Sequence, residues 1–174
     1  MERRKVSMIR PNLENLPPVV MPEGCVMRTF APGDEQVWGE IMNTGVGTDW
    51  TVEKVREKLT GQPQFDPDGL FFATMDGKPV GSACAWTIEP GEREVGTVHM
   101  VCVLPEARGK NLGYLLVLRV LHYFREHGFT SASLSTDDGR VPAIKSYLRL
   151  GFEADCPDEE SAEIWKGVVE RIGG

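Results

Sequence analysis

Residues 95 to 135 constrain the fold more than any other part of the chain. An apolar run over 95–104 stops at Pro105 and gives way to a short basic turn, Glu106-Ala107-Arg108-Gly109-Lys110. A helix follows at once, from 111 to about 127, and then a second strand over 130–135. The helix is apolar nearly all round, with Leu112, Leu115, Leu116, Val117, Leu118, Val120, Leu121 and Phe124. A helix of that kind must be covered on most sides, so it packs centrally against a sheet. Strand, turn, helix and strand make a βαβ unit, whose two strands run parallel with a right-handed crossover.

The remaining elements extend that unit. Residues 25–30 read as a strand, and Pro32-Gly33-Asp34 opens a helix carrying Val37, Trp38, Ile41 and Met42, with Asp34 as N-cap and Gly45-Val46-Gly47 as its stop. Thr51 caps a second helix with Val52, Val55 and Leu59 on one face, although Lys54 stands where a capping box has Glu. A loop leads to a strand over 70–75, a type I′ turn at Asp76-Gly77 and a return strand over 80–88. Pro79 sits at the start of that return, where a missing N–H does least harm. Asp137-Asp138 with Gly139 reads as the cap of a helix over 141–150, and 163–169 as a last strand. Residues 1–23, interrupted by Pro11, Pro17, Pro18 and Pro22 and basic at Arg3, Arg4 and Lys5, read as a poorly structured or surface-hugging arm. That leaves 24–174 as one domain. The expected fold class is a mixed α/β sheet, antiparallel in its N-terminal half and parallel at the join formed by the basic turn.

Charge and composition narrow the function classes. A chain of 174 residues is long enough to bury a core without staples. Its net charge of −7 argues against a nucleic-acid partner. No apolar run approaches the ~20 residues a bilayer span requires, and the polar start Met1-Glu2-Arg3-Arg4-Lys5 precedes nothing like a signal-peptide core, so the expectation is a cytoplasmic protein without a membrane partner. Cys25, Cys84, Cys102 and Cys156 have no paired spacing, and Cys84 and Cys102 read as buried, reduced small hydrophobes. His122 and His127 do not share a helix face well, so no metal is expected.

The basic turn itself carries the chemistry. A turn at a helix N-terminus aims unpaired backbone N–H groups at one point, backed by the positive end of the helix dipole, which makes a diphosphate cradle out of backbone. A Walker ATP site fails, because Lys110 is followed by Asn111 and not by Ser or Thr. A dinucleotide site is poorly matched: the turn has only Gly109 and Gly113, and the strand Thr130-Ser131-Ala132-Ser133-Leu134-Ser135 lacks a carboxylate for the ribose. Coenzyme A remains.

Val103, Pro105, Arg108, Gly109, Leu112 and Gly113 fall in step with a strand ending Val-x-Pro, then Arg-x-x-Gly-x-Gly or Ala, then a helix. In this the chain resembles the GCN5-related N-acetyltransferase family. Asn111 stands at the first Gly of that spacing; Asn is the non-Gly residue that best tolerates the left-handed backbone a Gly would adopt there. Downstream, Ala143 to Phe152 is similar to the family's second hallmark, a helix carrying Ala and Tyr that ends in Gly-Phe. Arg140 stands where members often have Asn. The resemblance covers 24–169 by element order and 95–152 closely.

The resemblance implies direct acetyl transfer from acetyl-CoA to the primary amine of a small molecule. Val101, Cys102, Val103, Arg108, Gly109, Lys110, Asn111, Leu112, Gly113, Tyr114 and Arg140 are then the candidate cofactor-side residues. The strand holding Val101, Cys102 and Val103 would part from its parallel neighbour, with an N–H near Val103 facing the oxyanion. His99 is the first candidate for the base, placed by period-two alternation on one face with Val101 and Val103; a hydrogen-bonded core histidine is its competing reading. Glu94 is the second, against a solvated turn at Glu92-Arg93-Glu94. Tyr147, four residues before the Gly of Gly-Phe, is the candidate acid for the departing thiolate. Trp38 or Trp50 would wall the acceptor. Two other functions fit the same motifs, a catalytically silent CoA-binding sensor and a protein N-terminal acetyltransferase. A homodimer is common among proteins of this resemblance.

Overall fold

The computed structural model describes residues 3–173. Lys5–Arg10 forms a strand, β1, and not a loose arm. Val6 and Met8 are buried while Lys5 and Ser7 face outward, the alternation of a half-buried strand. The prolines that argued for an arm, from Pro11 to Pro22, all fall beyond this strand, so none removes a donor from its ladder.

Four further strands form an antiparallel run: β2 (Cys25–Thr29), β3 (Leu70–Met75), β4 (Lys78–Trp86) and β5 (Val95–Val103). The turn between β3 and β4 has positive φ at both Asp76 (51°) and Gly77 (81°), as a type I′ turn requires. β6 (Ser131–Asp137) lies parallel to β5, and β7 (Glu153–Asp155) pairs with β1. The sheet order is β2-β3-β4-β5-β6-β1-β7, with β1 antiparallel between β6 and β7. The mixed sheet expected from sequence is therefore present, with β1 as an extra inner strand.

Helices cover both faces. α3 (Leu112–Glu126) packs against β3, β4 and β5, and with α4 (Val141–Arg149) and α5 (Glu159–Gly173) builds the larger core. α3 sits close because Gly96 leaves room for it: a Cβ there would stand 2.4 Å from the Phe124 ring. On the other face, α1 (Glu35–Met42) and α2 (Val52–Val55), which runs on into a π-helical turn at Arg56–Thr60, bury Trp38, Ile41, Met42, Val55 and Leu59. Thr51 caps α2 as expected, accepting from the Lys54 N–H at 3.2 Å.

Three local expectations are corrected. Residues 163–169 lie in α5 and not in a strand; the β-branched residues suggested a strand, but Ile164 and Val168 are buried at helical spacing. Asp34 holds the N-cap position of α1 without capping it, because its carboxylate is taken by the Ala31 N–H (2.7 Å) and by Arg28 (2.7 and 3.0 Å). Asp137 and Asp138 do not cap α4, whose N-cap is Arg140. Asp138 instead accepts from the Arg4 N–H (3.3 Å) and from Arg171 (3.2 Å), tying the approach to β1 onto α5.

Candidate active site

The site begins where two strands part. β5 and β6 pair only over three positions, Val95 to Thr97 against Ser131 to Ser133. A bulge follows on β5: between the pairs Ser82–Cys102 and Cys84–His99 it has one residue too many, and Met100 takes a positive φ of 55°. The extra residue reverses the alternation of side chains. Val101 and Val103 join the α3 core, while His99 lies on the opposite face beside its cross-strand partner Cys84. The expectation that His99 shares a face with the two valines is therefore corrected. Its ring stacks on Trp86 at a centroid distance of 5.2 Å and an interplanar angle of 25°.

Past the bulge, the Leu104 N–H donates to Val80 O at 2.7 Å. Backbone groups alternate across an extended strand, so the N–H of Val103 points the other way, into the gap left by β6. The chain then makes one 3-10 turn at Pro105–Ala107 and enters α3 through a left-handed pair, Gly109 (φ 80°) and Asn111 (φ 62°, ψ 18°). Within this turn the Arg108 N–H donates weakly to Pro105 O (3.3 Å) and the Leu115 N–H to Asn111 O (3.1 Å). The six N–H groups between them, Gly109 to Tyr114, have no internal acceptor among the described residues. They stand at the N-terminus of a fifteen-residue helix, a site fit for an anion.

A cavity of about 430 Å³ opens against these amides. Val101, Cys102, Val103, Arg108, Gly109, Asn111, Leu112, Gly113, Tyr114 and Arg140 all line it; Lys110 does not, being exposed in the turn. Gly45 also lines it, and α4 supplies Pro142, Ala143, Ser146 and Tyr147.

A second cavity, of about 350 Å³, fills the fork between β5 and β6. His99 lines it, with Thr97 to Val101 on one side and Leu134 to Asp137 on the other. The two cavities share Gly45, Val101, Arg140 and Tyr147, so Tyr147 stands where they meet. Burial pushes the Tyr147 phenol above its ordinary pKa, with the charge of Arg140 working in the opposite direction. Burial lowers the His99 pKa to about 4, so the ring is neutral near pH 7. Glu94 is not brought to the site: it is exposed at the start of β5, its carbonyl accepts from the N–H groups of Thr130 (3.0 Å) and Ser131 (3.1 Å), and it lines neither cavity.

Sequence reasoning missed the N-terminal contribution. Arg3 and Lys5 wall the fork cavity, and both pair with Asp137, Lys5 at 2.8 Å and Arg3 at 3.9 Å. The alternation of Lys5, Val6, Ser7 and Met8 was the available signal. The stop after α1, Gly45-Val46-Gly47, also proves to be a cavity wall. Neither Trp38 nor Trp50 lines either of these two cavities: they pack edge to face, 5.0 Å apart, in the smaller core. Among the described residues no cluster of His, Cys, Asp and Glu could hold a metal, and none of the helices is long and apolar enough to cross a membrane.

Comparison with known proteins gives one family. The model of the Acetyltransferase (GNAT) family matches residues 38–152. The chain is 38% identical over 144 residues to a mycothiol acetyltransferase of Thermomonospora curvata, a match spanning 79% of this chain and 47% of that protein. It is 36% identical over 157 residues to the mycothiol acetyltransferase of Thermobispora bispora, spanning 83% and 52%. The chain thus spans about half the length of these curated relatives. A crystal structure of a GCN5-related N-acetyltransferase from Sphaerobacter thermophilus superposes with a TM-score of 0.74 at 26% identity, over 88% of this chain and 49% of that one.

Proposed function

The chain belongs to the GNAT acetyltransferase family, and from that premise we propose that it transfers an acetyl group from acetyl-CoA to the primary amine of a small molecule by direct attack. One observation carries the reading. Six consecutive unspent amides, Gly109 to Tyr114, border a cavity that joins a second one at Tyr147. The residues present fit a diphosphate: the donors are backbone, the helix dipole is favourable, and Gly113 keeps the approach clear, since a Cβ there would meet nothing nearer than Val103 Cγ2 at 3.9 Å.

Acetyl-CoA as co-substrate supplies the activated acyl group. The chain's own residues divide the remaining work. The amides from Gly109 to Tyr114 hold the diphosphate end, with Arg108 beside them. The Val103 N–H, pointing into the fork, donates to the oxyanion that develops on the thioester carbonyl; one such donor is worth about 3 kcal/mol. The Tyr147 phenol, kept protonated by burial, gives its proton to the departing thiolate. His99 takes the amine's proton through water, as a neutral ring that holds it only transiently. A small acceptor suits the fork cavity of about 350 Å³, and the names of the relatives point the same way.

Calorimetric titration with acetyl-CoA, followed by thiol release in a panel of amines, tests the proposal. Saturable binding with amine-dependent thiol release is the expected result. No binding at millimolar acetyl-CoA eliminates it.

A further inference from the structure

We propose that the acceptor carries an acid group as well as its amine, and that Arg140 is the residue that recognises the acid. The inference rests on the acetyl-transfer reading and names the substrate class for it. The chain as a whole is acidic, with a net charge of −7, yet the fork cavity is not. Its charged walls are Arg3, Lys5 and Arg140 against a single carboxylate, Asp137. That carboxylate is already engaged, by Lys5 at 2.8 Å and Arg3 at 3.9 Å. The neighbouring carboxylate, Asp138, is taken by Arg4 and Arg171. Arg140 has no ion-pair partner among the described residues, although it is half-buried at the junction of the two cavities.

A plain alkylammonium entering this cavity meets a surplus of positive charge and no free acid to hold it. An amine that brings its own acid group meets a fixed guanidinium, whose planar fork suits a carboxylate or a phosphate. The same surplus favours the neutral form of the amine, which is the form that attacks. The diphosphate of the co-substrate has donors of its own in the amides of the turn, with Arg108 beside them, and only Arg140 of these residues also lines the fork cavity. Arg140 occupies the N-cap position of α4, so the positive end of that nine-residue helix adds to the charge of its guanidinium.

The test measures affinity for the CoA-loaded protein, so it does not depend on turnover. The probes are 4-aminobutyrate, L-glutamate and O-phosphoethanolamine against n-butylamine and the methyl ester of 4-aminobutyrate. The expected result is binding of acid-bearing amines at least tenfold tighter than of the ester or butylamine. Arg140→Gln should bring that ratio near one, and Arg140→Lys should keep most of it. Lys5→Gln, which lies on a different element, should lower it two- to threefold and guards against a folding defect in the Arg140 variants. A preference confined to O-phosphoethanolamine supports a phosphate as the acid; one shared with the amino acids supports a carboxylate. No preference in the unmodified protein, or no binding of any acid-bearing amine, overturns the proposal. So does an Arg140→Gln variant that loses acetyl-CoA affinity while keeping the preference. Failure of acetyl-CoA itself to bind sinks the acetyl-transfer reading, whereas intact cofactor binding without acid preference sinks only this inference.

Discussion

Arg149 reaches from the end of α4 to the left-handed turn, placing its Nη1 3.5 Å from Oδ1 of Asn111 and its guanidinium 4.6 Å from the centre of the Tyr114 ring. Asn111, which lines the first cavity, is thus held both by its backbone, at φ 62°, and by a side-chain contact to α4.

Replacing Asn111 with Gly should leave stability within about 0.5 kcal/mol, because the relief of a left-handed conformation is offset by the extra freedom of Gly in the unfolded chain. Asn111→Val should cost about 2 kcal/mol, since a β-branched residue is strained at positive φ. It should also weaken acetyl-CoA at least tenfold by misplacing the amides on either side. Urea denaturation and calorimetry read the two effects separately. A Val variant as stable as the parent would mean that the turn is not left-handed in solution.

Gly113 separates stability from binding. A Cβ there meets only Val103 Cγ2, at an ordinary 3.9 Å, and the residue has no positive φ, so the fold accepts Ala. Gly113→Ala should raise stability by up to about 1 kcal/mol through helix propensity. Because Gly113 borders the first cavity at a position where the resembled motif takes Gly or Ala, Ala should leave acetyl-CoA binding nearly intact, and it is the bulkier Gly113→Leu that should lower acetyl-CoA affinity at least tenfold. Unchanged affinity in the Leu variant would place the diphosphate elsewhere.

The βαβ unit was legible because its signals agree: a proline stop, a turn with glycines, and a helix whose apolar residues leave no solvent face. The amides of the turn were legible for the same reason, since they follow from where α3 starts. The fork was harder. Its splay depends on a bulge at Met100, a residue with no sequence signature for positive φ, and that one added residue moved His99 to the other face of the sheet. β1 was hidden by the prolines that follow it, although Val6 and Met8 alternate correctly. Its charges reach the fork only because β1 inserts next to β6, a long-range pairing that local pattern does not encode. α5 shows the reverse failure: local β-branched content suggested a strand, and packing of Ile164 and Val168 against the core decided otherwise.

Tyr147→Phe should lower kcat about a hundredfold, the scale of a single general acid, with little change in the KM for acetyl-CoA. Stability should stay within about 0.5 kcal/mol, because the phenol's surroundings are burial and the charge of Arg140, with no hydrogen bond to lose among the described residues. Pre-steady-state thiol release and thermal unfolding are the measurements. A variant with full kcat would remove Tyr147 from the chemistry.

His99 makes the folded state sensitive to acid. Its folded pKa of about 4 lies below the ordinary value of 6.5, so between those two pH values the unfolded chain binds a proton that the folded chain does not. The contribution is fully present above pH 6.5 and is lost as pH falls toward 4, by at most about 3 kcal/mol. His99→Phe, which keeps a ring against Trp86, should flatten that part of the stability profile while slowing acetyl transfer. The same depressed pKa means that the rate profile of the parent should show no His99 limb near pH 6.5, and should rise with pH only as the acceptor amine, with a pKa of about 10, loses its proton. A limb near 6.5 that vanishes in His99→Phe would show instead that His99 titrates freely in the fork, and the assignment of a neutral ring acting through water would have to be abandoned.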